Sequence, residues 1–337
     1  MAARGTGLLP GVPCTARKGG ATKPAGLIRL LIGGNWRAFA AVCLACDSIH
    51  AEALLLLNFG PVQRETNVLA QGAALGLYSS SSPDPHVFEF YLRAMDILDA
   101  AGVDYAVGGA YALAVHTDIV RHTKDFDVFL KKESRDRALA AFERAGLHTE
   151  LTHPHWIAKA FSPGADLFID LIYSSGNGLC QVDDEWLANA VPGQVLGRPA
   201  RLCAAEEIIW SKAFIQERER FDGADIAHLF LKQGIRLNWD RLLGRFRGNE
   251  LVLLSHLILF RYIYPSEPQP APQRIYDDLI EQFRSQPLWK DKVCRGTLLS
   301  WSQYLIDVEQ WGFEDARLPT RGNLTADQIE SWTRAEK

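Results

Sequence analysis

The chain lacks a surplus of positive charge, a long apolar run and a regular cysteine framework. Its formal net charge of -4 over 337 residues argues against a generally basic coat for nucleic acid, although it leaves room for a local basic patch. No run approaches the roughly 20 apolar residues that span a bilayer, which predicts a protein without a membrane segment. The six cysteines are scattered, which excludes a disulfide scaffold and makes a reducing cytoplasm the expected compartment.

The composition is that of an ordinary globular protein, with 47% hydrophobic and 23% charged residues. The N-terminal part differs from the rest, because basic residues precede the first acid, Asp47, and Gly, Pro and Ala dominate. We expect residues 1–85 to be disordered, or to be upstream sequence attached by a misplaced start, in preference to a targeting peptide. A cluster of Ser, Pro and Asp at residues 79–85 then leads into the folded part.

Two aspartates open a β-rich segment, Asp-Phe-Asp-Val-Phe-Leu, at residues 125–130. Because side chains alternate along a strand, Asp125 and Asp127 share one face about 7 Å apart, and the three apolar side chains at 126, 128 and 130 face the core. Mg²⁺ is held by one or two carboxylates together with substrate phosphates. Two such ions about 4 Å apart can clamp a phosphoryl displacement. The pair therefore predicts a site for two Mg²⁺ ions, with Mn²⁺ as a substitute.

A glycine pair lies ahead of these aspartates. Gly108 and Gly109 follow a short apolar run at residues 105–107 and precede a helix that begins near Ala110. Glycines at this point let the backbone approach a phosphate chain at a helix N-terminus. Each motif alone has a plain structural explanation, a turn for the glycines and a solvated strand end for the aspartates. Their order predicts a nucleotide site.

The ordered set, a Gly pair, a short helix and then Arg-His-Thr-Lys-Asp-Phe-Asp at residues 121–127, resembles the signature of the nucleotidyltransferase superfamily that shares its palm with DNA polymerase beta. It is most similar to minimal bacterial members, including the toxin component of type IV toxin–antitoxin systems and the aminoglycoside nucleotidyltransferases. The resemblance covers residues 87–231. It implies an α/β (α+β) palm, a mixed β-sheet flanked by helices.

The resemblance also implies a third carboxylate on a neighbouring strand, and the run Leu-Phe-Ile-Asp-Leu-Ile-Tyr at residues 167–173 supplies it in Asp170. It further implies a lysine-led helix whose lysine contacts the triphosphate, here Lys212, which spacing alone would allow to be an exposed helical lysine. The predicted site has the metal ligands and catalytic carboxylates Asp125, Asp127 and Asp170, and the triphosphate contacts Gly108, Gly109 and Lys212.

The remaining boundaries follow from composition. Residues 86–235 are predicted to form the nucleotidyltransferase domain. Residues 236–317 carry dense apolar residues interrupted by a Pro-rich loop at 265–272, which predicts an all-helical C-terminal region. The polar residues 318–337 predict a mobile tail.

We therefore predict an enzyme, a Mg²⁺-dependent nucleotidyltransferase that moves a nucleoside monophosphate from an NTP such as ATP to an acceptor hydroxyl or phosphate and releases pyrophosphate. RNA, a protein and a small amino sugar remain open as acceptors, with an antitoxin-like partner in the toxin case. Two alternatives also stay open. One is a nucleotide- or partner-binding protein on the same fold without turnover. The other is a purely structural α/β domain in which Asp125 and Asp127 lie apart from Asp170.

Overall fold

The computed structural model describes residues 85–121, 123, 125–164 and 166–335. The prediction for residues 1–85 lies outside this range, apart from Pro85, which begins a helix. Within the described part of the chain, no helix has both the length and the apolar character needed to cross a bilayer.

A seven-stranded mixed sheet carries the fold. Its strands are β1 (Tyr105–Val107), β2 (Asp127–Leu130), β3 (His148–His153), β4 (Ile157–Phe161), β5 (Phe168–Ile172), β6 (Val191–Val195) and β7 (Arg198–Leu202). They lie in the order β3-β4-β5-β2-β1-β7-β6. The two parallel pairs are β2 with β5 and β1 with β7, and the other neighbours run antiparallel.

Helices surround this sheet and continue beyond it. They are α1 (Pro85–Ala100), α2 (Gly109–Thr117), α3 (Arg135–Arg144), α4 (Asp184–Ala188), α5 (Ala205–Ala213), α6 (Gly223–Gln233), α7 (Trp239–Arg245), α8 (Glu250–Ile263), α9 (Gln273–Ser285), α10 (Leu305–Glu309) and α11 (Ala326–Ala335). Helix α1 packs on α3, and α5 contacts α2, α6, α7 and α8. A mixed sheet flanked by helices confirms the predicted fold class.

Helix α1 forms because its apolar residues recur at helical spacing and cover the sheet. Tyr91, Met95 and Leu98 lie on one face and are buried. Tyr91 stacks on Phe126, with ring centroids 4.7 Å apart, directly behind the predicted aspartate pair. Beyond the helix, Gly102 takes a φ of 62°, which turns the chain into β1. Helix α1 therefore supports the part of the sheet that carries the site.

Residues 186–197 contribute to α4 and to the hairpin of β6 and β7. The hairpin turns at Leu196 and Gly197, both with positive φ, as a two-residue turn between antiparallel strands requires. Strand β7 pairs with β1 through Val107 and Leu202, so the hairpin extends the sheet beyond β1.

The C-terminal part also differs in detail from expectation. A short parallel pair, β8 (Val293–Cys294) with β9 (Glu314–Asp315), lies within residues 236–317, which were predicted to be entirely helical. The buried Arg317 donates to the Asp315 carboxylate at 2.6 Å, which fixes the chain after β9. Residues 318–337, predicted to be a mobile tail, contain α11 and the buried Leu324.

Candidate functional site

The parallel pairing of β2 and β5 brings two of the predicted carboxylates together. In the ladder Asp127 lies opposite Asp170, and the Asp170 N–H donates to the Phe126 carbonyl at 2.9 Å. Phe126 is fully buried, as the alternation predicted. Asp125 lies just before β2, which begins at Asp127, and its side chain is exposed. The structure thus opposes the alternative in which the aspartate pair lies apart from Asp170.

The glycine pair packs directly against the start of β2. Gly109 begins α2 with a φ of 53°, and a Cβ at this position would overlap the Asp127 carboxylate. The Gly108 N–H donates to the Asp127 carbonyl at 2.9 Å, and a Cβ there would overlap the Phe129 ring. Only glycine fits at either position. The Gly108 amide is already used within the sheet, so its contribution to an anion site is the space it leaves.

The surroundings of Asp127 disfavour its ionised form. Burial, followed by the carboxylates of Asp170 and Asp125, raises the pKa of Asp127 to about 6, against the opposing influence of Lys212 and Arg220. Burial also raises the pKa of Asp170. A cation bound beside these carboxylates would favour their charged forms and so oppose the effects of burial and repulsion.

The same three carboxylates also affect the pKa of Tyr91, which packs behind the sheet. Burial raises the pKa of its hydroxyl to about 12, and the charges of Asp125, Asp127 and Asp170 add to the effect. The three carboxylates therefore act on one buried group together. A phenol in this field stays protonated at neutral pH and supplies no negative charge of its own.

Lys159 is a member of the site that the sequence analysis missed. It lies on β4 and its ammonium contacts the Asp170 Oδ1 atom at 2.7 Å. The same ammonium lies over the Phe168 ring, 3.8 Å from the centroid. Its position opposite Asp170 in the β4–β5 ladder could be recognised only once the strand register was known. Lys159 opposes the effect of burial on the pKa of Asp170.

Lys212, predicted to contact the triphosphate, is held between two acids at the start of α6. Its ammonium lies 2.6 Å from the Asp222 carboxylate and 2.9 Å from that of Asp225. Arg121 approaches Asp225 at 2.6 Å, and Arg220 contacts Asp222 at 3.2 Å. Burial would raise the pKa of Asp222, but Arg220 and Lys212 outweigh it and hold that pKa below its usual value. The lysine reaches the site as part of an ion-pair network.

These groups line one cleft of about 750 Å³. Its charged lining consists of the acids Asp125, Asp127, Asp170, Glu217 and Glu219 and the bases Lys212, Arg218 and Arg220. Its aromatic lining includes Trp156, Trp186, Trp301 and Trp332. The last two come from the C-terminal part of the chain. The cleft is within the size range of small-molecule sites, and its far wall is built by residues outside the sheet.

The donor set suits a hard divalent cation through its carboxylates, although the predicted ligands do not form a ready-made cage. No three His, Cys, Asp or Glu side chains in the described residues are grouped as ligands for one metal ion. Mg²⁺ uses only one or two carboxylates when substrate phosphates complete its coordination. Burial and the neighbouring carboxylates, which together raise the pKa of Asp127, disfavour its negative charge, and a bound cation would offset both. The residues therefore fit Mg²⁺ as a carboxylate pair.

A family model described as Aminoglycoside-2''-adenylyltransferase matches residues 91–167. The match contains the Gly pair and the Asp pair and ends before Asp170 and Lys212. It covers less than half of the chain. It confirms the resemblance to the nucleotidyltransferase superfamily and supports nucleotidyltransferase activity in general. No curated protein matches the chain.

Several solved structures are similar at low identity. The antibiotic-resistance factor ANT(2'')-Ia in solution is 20% identical over 52% of this chain and 98% of that one, with a TM-score of 0.36. The lincomycin-bound lincosamide antibiotic adenylyltransferase LnuA is 14% identical over 42% and 94%, with a TM-score of 0.31. An antigenic nucleotidyltransferase-like protein from Paracoccidioides brasiliensis is 17% identical over 51% and 92%, with a TM-score of 0.32. Superpositions with scores this low carry no weight for fold or function.

Proposed function

We propose that the chain is a Mg²⁺-dependent nucleotidyltransferase that moves a nucleoside monophosphate from an NTP to a small acceptor and releases pyrophosphate. The observation that carries the proposal is the start of β2. There Asp127 lies opposite Asp170, against a glycine that leaves no room for a side chain. A purely structural domain would gain no stability from carboxylates packed against one another and against the backbone at one point.

The reaction exchanges one phosphorus–oxygen bond for another. The acceptor hydroxyl oxygen forms a bond to the α-phosphorus, and the bond from that phosphorus to the α–β bridging oxygen breaks. Asp170 takes the acceptor proton on Oδ2, since its Oδ1 atom already accepts from Lys159. Bound at Asp125 and Asp127, Mg²⁺ would neutralise negative charge on the phosphoryl oxygens.

The triphosphate would lie between the N-terminus of α2 and the basic side of the cleft. Gly109 begins α2, and the free amides of a helix's first turn favour anions. On the basic side, Lys212 and Arg220 line the cleft and would offset charge on the leaving pyrophosphate. Asp222 contacts both cations and holds them in place. These residues contribute by position and charge, without covalent chemistry.

The charge of the cleft favours a small cationic acceptor over RNA. Acidic side chains outnumber basic ones in its lining. Two of its three bases, Lys212 and Arg220, are assigned to the triphosphate, and the third, Arg218, donates to Gln303 at 3.4 Å, so the lining offers little further positive charge for an RNA acceptor. RNA binding depends on basic side chains that neutralise phosphates. An amino sugar, the acceptor class suggested by the matched adenylyltransferase family, carries the opposite charge and suits an acidic cleft.

The test uses the full-length protein with Mg²⁺ and each α-labelled NTP in turn, against separate pools of amino sugars, cellular RNA and proteins. We expect label to move to the amino sugars. Asp127→Ala should lower the rate by at least about 10²-fold, the usual effect of removing a group that stabilises developing charge. Asp184→Ala is the matched control, because that exposed aspartate pairs with Lys131 and does not line the cleft.

The alternatives predict different results. Label in RNA or protein would support the transferase activity but contradict the amino-sugar acceptor. It would also favour the antitoxin-like partner predicted for toxin-type members. If folded protein moves no label with Mg²⁺ or Mn²⁺, the proposal fails in favour of nucleotide or partner binding without turnover.

A further inference from the structure

The geometry points to a site that takes one divalent ion, with the Lys159 ammonium serving permanently as the second positive charge beside Asp170. This inference rests on the proposed function and departs from the two ions predicted from the sequence. It makes Lys159 a positioning residue for Asp170. The ion is assigned to Asp125 and Asp127.

The sheet holds Lys159 at Asp170. Strand β4 is paired on both sides, so Lys159 lies opposite Glu150 on β3 and opposite Asp170 on β5. Its neighbours Ala158 and Ala160 are fully buried, and a shift of one residue would exchange them with the lysine. The register is therefore fixed, and it keeps the backbone of Lys159 directly opposite Asp170.

The Lys159 ammonium pairs with Asp170 rather than with the exposed Glu150. Although Glu150 and Asp170 are both register partners, the ammonium forms its 2.7 Å contact with Asp170. The Lys159 side chain is 22% exposed and that of Asp170 is 12% exposed, so the pair is largely shielded from solvent. The Phe168 ring, 3.8 Å away, holds the ammonium from a further direction. A pair held in this way retains more of its attraction than a surface pair does.

The charge balance then leaves room for one ion. Asp170 already has a cation on Oδ1, whereas Asp125 and Asp127 have no cation in an equally close pair in the described residues. A divalent ion gains most where the described residues supply the least positive charge in direct contact, which is at Asp125 and Asp127. A second ion would have to bind Asp170 beside the ammonium, against its repulsion.

The experiment counts Mn²⁺ ions by the loss of the free-ion paramagnetic resonance signal, with the full-length protein and Mn²⁺ alone. Ions bound by Asp127→Ala are subtracted, which removes those held elsewhere on the surface. We expect about one Mn²⁺ per wild-type chain. We expect about two in Lys159→Met, which keeps the apolar stem on Phe168 but removes the charge.

Two controls separate charge from fold. Lys159→Arg keeps the positive charge, so its count should stay at about one. Lys131→Met removes the lysine of another Lys–Asp pair, with Asp184 outside the cleft, and should also leave the count unchanged. Thermal unfolding checks that each variant is folded.

The outcomes distinguish this inference from the proposed function. Two ions in the wild type, or an unchanged count in folded Lys159→Met, would overturn the inference and leave the transferase proposal intact. No ion in the wild type beyond the Asp127→Ala baseline would also overturn the inference, whereas the transferase proposal falls only if label transfer fails, because substrate phosphates can complete the coordination of Mg²⁺.

Discussion

Replacing Asp127 with Asn should make the protein more stable and inactive at the same time. The carboxylate is buried beside Asp125 and Asp170, and Lys212 and Arg220 offset only part of the effect of burial and repulsion on its pKa. Asparagine keeps the shape of the side chain and removes the charge. The substitution therefore relieves repulsion that the folded chain carries and the unfolded chain does not, whereas transfer loses a metal ligand.

The pKa of Asp127 sets the size of the effect. It rises from 3.8 to about 6 on folding, and each unit corresponds to about 1.4 kcal/mol. At pH 8 the ionised carboxylate therefore destabilises the fold by up to about 3 kcal/mol. Between these two values the folded chain binds more protons than the unfolded chain, so the penalty shrinks as the pH falls. At pH 5 about half of it remains.

Thermal unfolding in EDTA measures the difference between Asp127→Asn and wild type at each pH. For a domain of this size we expect Tm to rise by roughly 2–4 °C per kcal/mol. The gain should be largest at pH 8 and clearly smaller at pH 5. Asp184→Asn, which removes an exposed carboxylate, should change Tm little at either pH. An Asp127→Asn variant that is no more stable at pH 8, or whose gain does not shrink at pH 5, would refute the electrostatic account.

Two glycine substitutions test the walls of the cleft. Gly109→Ala places a Cβ on the Asp127 carboxylate and should lower the transfer rate by about 10²-fold, because the carboxylate is displaced. Gly102→Ala is the control, since Gly102 has a similar φ and its added Cβ would meet nothing within 4 Å. It should cost only about 1 kcal/mol of stability and leave the rate unchanged. Equal rates in the two variants would contradict this. Gly176→Ala places a Cβ on the Trp332 indole and should destabilise by about 1–3 kcal/mol and expose α11 to limited proteolysis; unchanged cleavage there would show that α11 does not depend on this contact.

The sequence was sufficient to predict the central strand because its pattern is local. Alternation at residues 125–130 predicted which side chains are buried, and Phe126, Val128 and Leu130 are indeed fully buried. The strand itself begins at Asp127, so Asp125 lies on the segment leading into it. That Asp170 would lie on a neighbouring strand came from a family resemblance, and its register opposite Asp127 came from the structure. No local pattern shows which strands become neighbours in a mixed sheet.

Lys159 and the β6–β7 hairpin are features that local sequence patterns do not predict. Lys159 matters through a cross-strand pair with a residue eleven positions away, and the sequence alone does not fix that register. The hairpin contains Pro192, Gly193 and Pro199, residues that weaken a strand prediction. Pro192 and Gly193 are tolerated because β6 is the last strand of the sheet, whose outer edge needs no partner.

The contacts of Lys212 and Trp332 are determined by packing between distant parts of the chain. Spacing alone allowed Lys212 to be an exposed helical lysine, but the direction of its ammonium is set by Asp222 and Asp225 at the start of the next helix. Trp332 reaches the cleft because Gly176 leaves space for its ring and because Arg317 lies 6.0 Å from it. Composition does not distinguish a polar tail whose tryptophan packs against the rest of the protein from a polar tail that does not pack there.

Several unfavourable features of this fold meet at the start of β2, and their combination there is the argument for function. A glycine with positive φ pressed on a carboxylate, a carboxylate with a pKa of about 6, and its register partner with a raised pKa all meet at the start of β2. Buried charge elsewhere, such as Glu207 with Arg241, is paired directly. Stability alone would favour neutral residues at Asp127, as its Asn variant tests. A site that retains the repulsion is one whose missing positive charge arrives with a ligand.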